Sequence, residues 1–408
     1  MTFSVDSLIK FQVELAHTLK YLEFKIYLDY AATTPMAPEA FDAMLPFLTK
    51  TGTFANASSI QHCFGEAAEA VVEQARNEIA ELLCGKAKDF VFTSGATESN
   101  NLAIKGIAKA YQGRGKHIIT SAIEHKSVLD TCKYLESQGF SITYLRPNSD
   151  GRIDLNDLLN AITDDTILVS VMHVNNETGM IQPIEEIAEA LADKELFFHV
   201  DAAQSAGKLA IDLSATPIDL LSMSAHKFYG PKGIGCLYIR NRKQVGLTPL
   251  LHGGRQEQGL RPGTLPTHQI SAMAAAFKLA NKHIDQDFSH CLRLKQTLLE
   301  ILQQTDGVTL NGDQKHVMPN IINISFESVG SDSLIIALRD RLAISSGSAC
   351  NSGAIEASHV LRAMKIEGDR LYGAIRISLG RYTTEKEIQQ AGQTIIEEVS
   401  RLRELVLM

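Results

Sequence analysis

The chain has 408 residues, of which 45% are hydrophobic and 21% are charged, close to the averages of soluble globular proteins. This composition excludes a disordered chain, a collagen and a coiled-coil rod. The 39 basic and 47 acidic side chains give a formal net charge of −8, which argues against nucleic acid or an anionic membrane as the main partner.

The cysteine content indicates a reducing compartment. Six cysteines in 408 residues are too few for a disulfide framework, and no two of them form a C-x-x-C pair. No apolar run approaches the ~18 residues that a membrane span needs, and the N-terminus has no apolar core of a signal peptide. We therefore expect reduced thiols and a cytoplasmic protein.

The first 26 residues are predicted to form an N-terminal extension. Leu8, Leu15, Leu19 and Leu22 recur at helical spacing, which predicts an amphipathic helix that docks on the body of the protein. Packing is the favoured interpretation of this helix, and partner binding is the alternative.

From residue 66 to about residue 240 the sequence alternates between helical patterns and short apolar runs. Runs of this kind separated by helices are typical of a parallel sheet that is covered on both faces. The predicted strands are Phe90–Phe92, His117–Thr120, Ile142–Leu145, Ile167–His173, Leu196–Val200, Leu220–Ser222 and Gly235–Ile239. The predicted helices are Glu66–Leu83, Glu98–Tyr111 and Ser127–Ser137. A long helical stretch, Ile270–Leu302, then leads to a predicted smaller α+β domain.

Ligands of such sheets bind at the carboxyl ends of the strands, and the first candidate site follows Phe90–Phe92. The small residues of Thr93–Glu98 open a helix, whose free N–H groups and dipole can hold a phosphate. Neither G-x-G-x-x-G nor G-x-x-x-x-G-K-[ST] occurs in the chain, so a cofactor with one phosphate is favoured over a nucleotide. An ordinary helix cap would explain this segment equally well.

Two further strands end in ionisable residues. Asp201 follows Leu196–Val200, where an ion pair or a cap is the structural alternative to a functional role. Lys227 lies in S-A-H-K, before a Gly-rich turn. A lysine among small residues loses hydration, its pKa falls, and the neutral amine can form a Schiff base. The same letters match the S-x-x-K of penicillin-binding enzymes, but S-D-N is absent and K-T-G precedes the motif.

The phosphate-binding segment, the carboxylate and the lysine, in this order, suit pyridoxal 5′-phosphate (PLP). The carboxylate would keep the pyridine nitrogen protonated, so that the ring can accept electrons. His125 follows another predicted strand and could stack on the ring or carry a proton. Cys350 lies in a loop of Ser, Gly and Ala, where a thiolate can form and move.

Together these stretches resemble the cysteine desulfurases of the IscS/NifS type, which are PLP-dependent enzymes of fold type I in the class-V aminotransferase family. The resemblance runs from Tyr27 to about Arg381. The motifs that carry it are T-S-G-A-T-E-S at Thr93–Ser99, H-V-N-N-E-T-G at His173–Gly179, H-V-D-A-A-Q at His199–Gln204, S-A-H-K at Ser224–Lys227, G-L-R-P-G-T-L-P at Gly259–Pro266, S-S-G-S-A-C at Ser345–Cys350 and I-R-I-S-L-G-R at Ile375–Arg381.

The resemblance implies the domain organisation. It implies an α/β fold with a mainly parallel seven-stranded sheet in a large PLP-binding domain (37–283). A smaller α+β domain (284–408) would carry a mobile cysteine loop, and residues 27–36 would join that small domain.

The resemblance also implies the role of each site residue. The catalytic residues would be Lys227, His125 and Cys350, with Lys227 bound to PLP, His125 over the ring and Cys350 as the sulfur acceptor. The cofactor contacts would come from Ala96, Thr97, Asn176, Asp201, Gln204, Ser224 and His226, with Thr264 reaching in from the second subunit of a homodimer. Arg376 would bind the substrate carboxylate with Asn56 beside it. No resident metal is expected, and Cys350 is a candidate transient ligand of an iron–sulfur cluster.

The function implied is removal of sulfur from L-cysteine, giving L-alanine and a Cys350 persulfide that passes to acceptor proteins such as an iron–sulfur scaffold. Three alternatives stay open: a selenocysteine lyase or a related aminotransferase, a non-enzymatic scaffold or regulator, and, least favoured, a metalloenzyme. The chain ends soon after the helical pattern of Glu397–Leu407, whereas housekeeping members extend into a scaffold-docking tail.

Overall fold

The computed structural model describes residues 25–242, 245–346 and 357–406. The predicted N-terminal helix and the predicted mobile loop around Cys350 lie outside these residues. Within them, no helix is both long and apolar enough to cross a membrane.

The described residues form helices and strands in the alternating order that the sequence predicts. The helices are α1 (Pro38–Met44), α2 (Cys63–Leu82), α3 (Ala96–Tyr111), α4 (Lys126–Ser137), α5 (Leu155–Ala161), α6 (Ile184–Leu191), α7 (Thr267–Lys282), α8 (Ile284–Leu302), α9 (Ser331–Leu338), α10 (His359–Ala363), α11 (Gly368–Tyr372) and α12 (Glu385–Val406). The strands are β1 (Ile26–Tyr27), β2 (Phe90–Thr93), β3 (His117–Ser121), β4 (Ser141–Leu145), β5 (Thr166–Met172), β6 (Phe197–Asp201), β7 (Leu220–Ser224), β8 (Gly235–Ile239), β9 (Val308–Leu310), β10 (Ile321–Phe326), β11 (Leu342–Ala343) and β12 (Ala374–Ser378).

The main sheet has seven strands in the order β2-β8-β7-β6-β5-β3-β4. Its pairings are parallel except for those of β8, which runs antiparallel to both of its neighbours. The prediction of a mainly parallel seven-stranded sheet is thus confirmed. Because β8 reverses direction, its carboxyl end lies at the opposite edge from the polar residues that follow the other strands.

Both faces of this sheet are buried, which explains the continuous apolar strands. Side chains alternate between the two faces of a strand. Phe90 and Phe92 accordingly join one hydrophobic cluster, packed with α2 and α7, while Val91 joins another, packed with α3 and α4. Helices therefore cover the sheet on each side, as the apolar runs predict.

The helical stretch predicted over Ile270–Leu302 is two helices rather than one. The structure breaks it at His283, which caps the end of α7 with a non-helical backbone (φ −113°, ψ 12°). Both halves keep apolar residues at helical spacing, so periodicity alone could not reveal the break. Met273 and Phe277 of α7 pack in the core of the main sheet, whereas Leu294 and Leu298 of α8 pack in a second core.

The second core belongs to a small antiparallel sheet. Its strand order is β12-β10-β9, and α8, α9 and α12 supply apolar side chains to the same cluster. The segment from β1 to Asp29 joins this region, because β1 pairs with β11 in parallel and Asp29 bridges to Ser378 of β12. The limits of the individual domains remain predictions.

A buried ion pair ties the loop before α7 to the main sheet. The two terminal guanidinium nitrogens of Arg76, Nη1 and Nη2, each lie 2.8 Å from a carboxylate oxygen of Glu257. Arg76 also donates to the carbonyl oxygen of Phe90, and Glu257 accepts from the amide of Phe92 (3.0 Å). Glu257 and Gln258 both have positive φ, 50° and 55°, a conformation that costs free energy unless neighbouring contacts hold it.

Replacing Arg76 by Met should lower the free energy of unfolding by about 3–5 kcal/mol, because it leaves the buried Glu257 charge unpaired. The matched control is Arg339→Met, which removes an exposed pair with Asp340 and should change stability by less than about 0.5 kcal/mol. Urea unfolding of both variants measures the difference. Equal stability of the two variants would contradict the role given to the buried pair.

Candidate active site

A cavity of about 740 Å³ opens at the carboxyl ends of the parallel strands. Most of the site residues predicted from the sequence line it. They are Ala96, Thr97, His125, Asn176, Asp201, Gln204, Ser224, His226, Lys227 and Arg376. Asn56 and Thr264 are exposed and do not line this cavity, and Cys350 lies outside the described residues.

Lys227 lies at the end of the short 3₁₀ turn that follows β7. Its Nζ donates to the carbonyl oxygens of Ala31 (2.6 Å) and Ala32 (2.8 Å). Burial, together with the nearby Arg376 charge, lowers the pKa of Lys227 to about 8, although Asp201 and Asp29 act in the opposite direction. A substantial fraction of the amine is therefore neutral and nucleophilic near physiological pH.

Asp201 is the last residue of β6 and is 4% exposed. Its Oδ1 accepts a hydrogen bond from the amide of Ala203 (2.9 Å), and its Oδ2 accepts one from Asn100 Nδ2 (2.7 Å). Two donors thus hold the carboxylate in a fixed orientation at the edge of the cavity. The sequence placed Asp201 correctly at a strand end, but Asn100 on α3 was missed.

His125 is the N-cap of α4 and lies open to the cavity. Its Nδ1 accepts from the backbone amide of Ser127 (3.1 Å) and lies 2.8 Å from Ser127 Oγ. Burial lowers the pKa of the His125 imidazole. The charge of Asp201 opposes this effect, and that of Lys227 adds to it.

The N-terminus of α3 forms a backbone cradle. Gly95 is its N-cap with φ 150° and ψ 177°, and no side chain caps the helix there. This conformation is accessible only to glycine. A Cβ on Gly235 would lie 2.5 Å from the Cα of Gly95 and 2.5 Å from the carbonyl oxygen of Met223. Two glycines thus let β8 approach the helix start closely and leave its first amides open, as a phosphate needs.

Ser224 and His226, from the end of β7 and the turn after it, both line the cavity. The Ser224 hydroxyl would be 3.4 Å from a Cβ on Gly95, so it sits beside the backbone cradle. His226 Nδ1 pairs with Thr33 Oγ1 (3.1 Å). Burial and the positive charges of Lys227 and Lys232 lower the pKa of His226 to about 4. His226 is therefore neutral at physiological pH and can act only as a neutral hydrogen-bonding group.

Gln204 is held at both ends of its amide. Its Nε2 donates to the carbonyl oxygen of Ala31 (2.8 Å), and its Oε1 accepts from Lys208 Nζ (3.1 Å). Lys208 was not singled out in the sequence. Burial lowers its pKa to about 7, so the cavity region contains a second weakly basic amine. Lys208 does not line the cavity itself.

Arg376 enters the cavity from β12 of the small sheet. Its Nη2 lies 2.7 Å from Asp29 Oδ1, and its Nη1 donates to the carbonyl oxygen of Asn176 (2.9 Å). The buried Nε has no hydrogen-bond partner in the described part of the chain. A bound carboxylate would have to share the terminal guanidinium nitrogens with Asp29, a partner that the sequence did not reveal.

Several other acidic and basic residues line the cavity without having been assigned a role from the sequence, among them Glu177 and His359. Glu177, buried in the H-V-N-N-E-T-G motif, accepts from Ser358 Oγ, and burial raises its pKa. His359 donates from Nε2 to the carbonyl oxygen of Glu124 (3.0 Å). The motif that contains Glu177 was recognised, but only its Asn176 was assigned a role.

Comparison with known proteins defines the family. The model of the aminotransferase class-V family matches residues 26–391. The cysteine desulfurase IscS of Buchnera aphidicola (subsp. Acyrthosiphon pisum, strain 5A) is 54% identical over 380 residues, 93% of this chain and 94% of that protein. The IscS of Vibrio vulnificus (strain YJ016) is 50% identical over 384 residues, 94% and 95% of the two chains.

Solved structures agree with this assignment. A NifS-like protein superposes with a TM-score of 0.86 at 36% identity, covering 92% of this chain and 99% of that one. SspA, solved in complex with cysteine, gives a TM-score of 0.77 at 41% identity, with 88% and 99% coverage. The chain belongs to the class-V aminotransferase family, in its group of IscS/NifS-type cysteine desulfurases. The resemblance and the fold class predicted from the sequence are thus confirmed, and the family implies PLP as the cofactor.

The altered basicity of Lys227 can be measured directly. In cofactor-free protein, the reaction of residue 227 with trinitrobenzenesulfonate should be half-maximal at pH about 8, rather than at the ~10.4 of an ordinary lysine. Peptide mass spectrometry over a pH series follows the modification. Arg376→Met should raise the midpoint and Asp201→Asn should lower it, because the two variants remove charges of opposite sign. A wild-type midpoint near 10 would exclude the proposed desolvation.

Proposed function

We propose that this chain is a PLP-dependent cysteine desulfurase that converts L-cysteine to L-alanine and retains the sulfur as a persulfide on Cys350. The observation that carries this proposal is the weakly basic Lys227 amine, in one cavity with Asp201 and the open N-terminus of α3. A non-enzymatic scaffold would not need a lysine with a lowered pKa beside a buried carboxylate.

The donor set of the cavity fits PLP. The first amides of α3, at Ala96 and Thr97, together with Ser224 and His226 would hold the phosphate, and Lys227 would hold the cofactor covalently through Nζ. Asp201 would receive the pyridine N–H, and Asn176 and Gln204 would approach the oxygen on the ring. When bound, PLP withdraws electrons from the Cα of an attached amino acid.

Three residues would act on the substrate. Arg376 would bind the carboxylate through the guanidinium edge now occupied by Asp29. Lys227 Nζ, when not attached to the cofactor, would accept the Cα proton, because its lowered pKa leaves a neutral amine available. His125, which lines the same cavity, would hold a second proton.

The role of Cys350 rests on the S-S-G-S-A-C motif and on the family, since the residue lies outside the described part of the chain. The Cβ–S bond of cysteine would break and an S–S bond would form on Cys350. Cysteine and the Cys350 thiol would thus yield alanine and the Cys350 persulfide, with no external oxidant or reductant. The outer sulfur would then pass to acceptor proteins, such as an iron–sulfur scaffold, in the cytoplasm.

We further propose that the enzyme is a homodimer. Six large apolar side chains are exposed between residues 41 and 64, more than scattered surface residues explain; they are Phe41, Leu45, Leu48, Phe54, Ile60 and Phe64. Gln256 joins this stretch to the loop that carries Thr264, through Ser58 Oγ (3.3 Å) and the amide of Gly263 (3.1 Å). Thr264 therefore lies near the apolar stretch and away from the cavity of its own chain, as a contribution to a partner's site requires.

Cys350→Ser should keep PLP bound but stop persulfide formation, lowering alanine release by on the order of a thousandfold or more, as expected for loss of a nucleophile. The control is Cys84→Ser, which alters an exposed cysteine that does not line the cavity and should retain wild-type turnover. Alanine release and persulfide mass are measured on both variants. Equal turnover in Cys350→Ser and Cys84→Ser would remove Cys350 from the reaction.

Mixed dimers test the position of Thr264. When a Lys227→Ala subunit pairs with a Thr264→Val subunit, the site that keeps Lys227 receives an intact Thr264 from the partner if the residue reaches across. That site should then bind PLP with wild-type affinity, measured by equilibrium titration. If its affinity instead equals that of the Thr264→Val homodimer, Thr264 serves its own chain and the proposed arrangement is wrong.

A further inference from the structure

Two buried residues with no assigned role link Asp201 to His125. Asn100 of α3 is fully buried, and Ser127 in the first turn of α4 is 9% exposed. Asn100 Nδ2 lies 2.7 Å from Asp201 Oδ2 and 2.9 Å from Ser127 Oγ. Ser127 Oγ in turn lies 2.8 Å from His125 Nδ1. A continuous chain of hydrogen bonds therefore runs from the carboxylate to the imidazole.

The polarity of this chain is fixed at its carboxylate end. An ionised carboxylate only accepts hydrogen bonds, so it must face the NH₂ group of Asn100 and not the amide oxygen. The amide oxygen is buried without a hydrogen-bond partner in the described residues. The Asn100 side chain thus keeps an orientation that leaves its amide oxygen without a hydrogen bond, which costs free energy. This cost indicates that the site requires the NH₂ group of Asn100 to face Asp201 and Ser127.

The polarity then propagates to the histidine. The two hydrogens of the Asn100 amide go to Asp201 and to Ser127 Oγ. Since Ser127 Oγ accepts one of them, its own hydrogen points to His125 Nδ1, which also accepts from the Ser127 amide (3.1 Å). A ring nitrogen that accepts from two donors carries no hydrogen. The proton of the neutral imidazole is therefore on Nε2.

We propose that Asn100 and Ser127 are positioning residues that carry the hydrogen-bond direction set by Asp201 through to His125 and so fix the imidazole proton on Nε2. No group in residues 25–242, 245–346 or 357–406 hydrogen-bonds to His125 Nε2, and the ring lines the cavity. That N–H is consequently directed to whatever the cavity binds. The direction of these hydrogen bonds does not depend on the proposed function. The role of the Nε2 proton rests on that function: His125 would begin the reaction as a proton donor through Nε2.

Several charges act on His125 besides this chain. Burial lowers the pKa of His125, and Lys227 and His359 act in the same direction, while the carboxylates Asp201 and Asp130 raise it. The neighbouring carboxyl of Glu124 is fully buried, and burial raises its pKa to about 8, so it is largely neutral at pH 7. Two donors at Nδ1 act in the same direction as burial, because protonation of Nδ1 would break both hydrogen bonds.

The test is ¹⁵N NMR of the holoenzyme labelled at histidine, with His125 assigned by a His125→Gln variant. In the wild type, Nδ1 should give a pyridine-type shift and Nε2 a pyrrole-type shift. Ser127→Ala should raise the pKa of His125 by about one unit, the change expected for loss of one hydrogen bond to the neutral ring. Ser127→Thr keeps the hydroxyl and should restore the wild-type pKa.

Asn100→Asp provides the second variant. A carboxylate at position 100 would draw the Ser127 hydrogen away from His125, so the pKa of His125 should again rise. The matched control is Asn101→Asp, because the side-chain amide of the partly buried Asn101 donates to the Thr97 carbonyl of its own helix and takes no part in this hydrogen-bond chain. The pKa of His125 in this variant should stay within about 0.2 units of wild type.

A pyrrole-type Nδ1 in the wild type would overturn the inference, and so would an unchanged His125 pKa in both Ser127→Ala and Asn100→Asp. If either variant fails to fold, the wild-type tautomer still decides. These readouts are independent of alanine release, so failure of the proposed activity and failure of this inference give different results.

Discussion

The active site depends on one buried lysine amine that lies near a second positive charge. Lys227 Nζ is anchored by the carbonyl oxygens of Ala31 and Ala32, from the segment between β1 and α1. Arg376 arrives from the small sheet and helps to keep the pKa of the amine low. The environment of this nitrogen therefore combines the segment after β1, the turn that follows β7 and a residue of the second sheet. None of these three parts alone would make the amine reactive.

The sequence predicted the main sheet well because burial on both faces is a local property of each strand. Apolar runs had to appear wherever a strand lay between two helical layers, and the observed strands differ from the predicted ones by one or two residues at most ends. Asp201 and Lys227 could be identified for the same reason, since each ends such a run. The break at His283 was missed because helical spacing continues on both sides of it.

What the sequence could not reveal are partners contributed by remote elements. Asp29 and Arg376 are 347 residues apart, and the sequence around either residue gives no indication that the two side chains pair. Ser127 lies in the first turn of α4, where polar residues are common as caps, and Asn100 lies in the second turn of α3. Only the folded arrangement reveals that the two side chains contact each other. Asn56 was assigned beside Arg376 by resemblance, yet in this chain it is exposed and its Oδ1 accepts from the amide of Ser58 (2.9 Å).

The central claim is that Lys227, and not the other weakly basic amine, carries the cofactor. Borohydride reduction of the protein as purified, followed by peptide mass spectrometry, tests this most directly. The account predicts a phosphopyridoxyl group on the peptide that contains residue 227 and an unmodified peptide containing Lys208. An unmodified residue 227 in protein that holds its cofactor, or the group on Lys208, would contradict it.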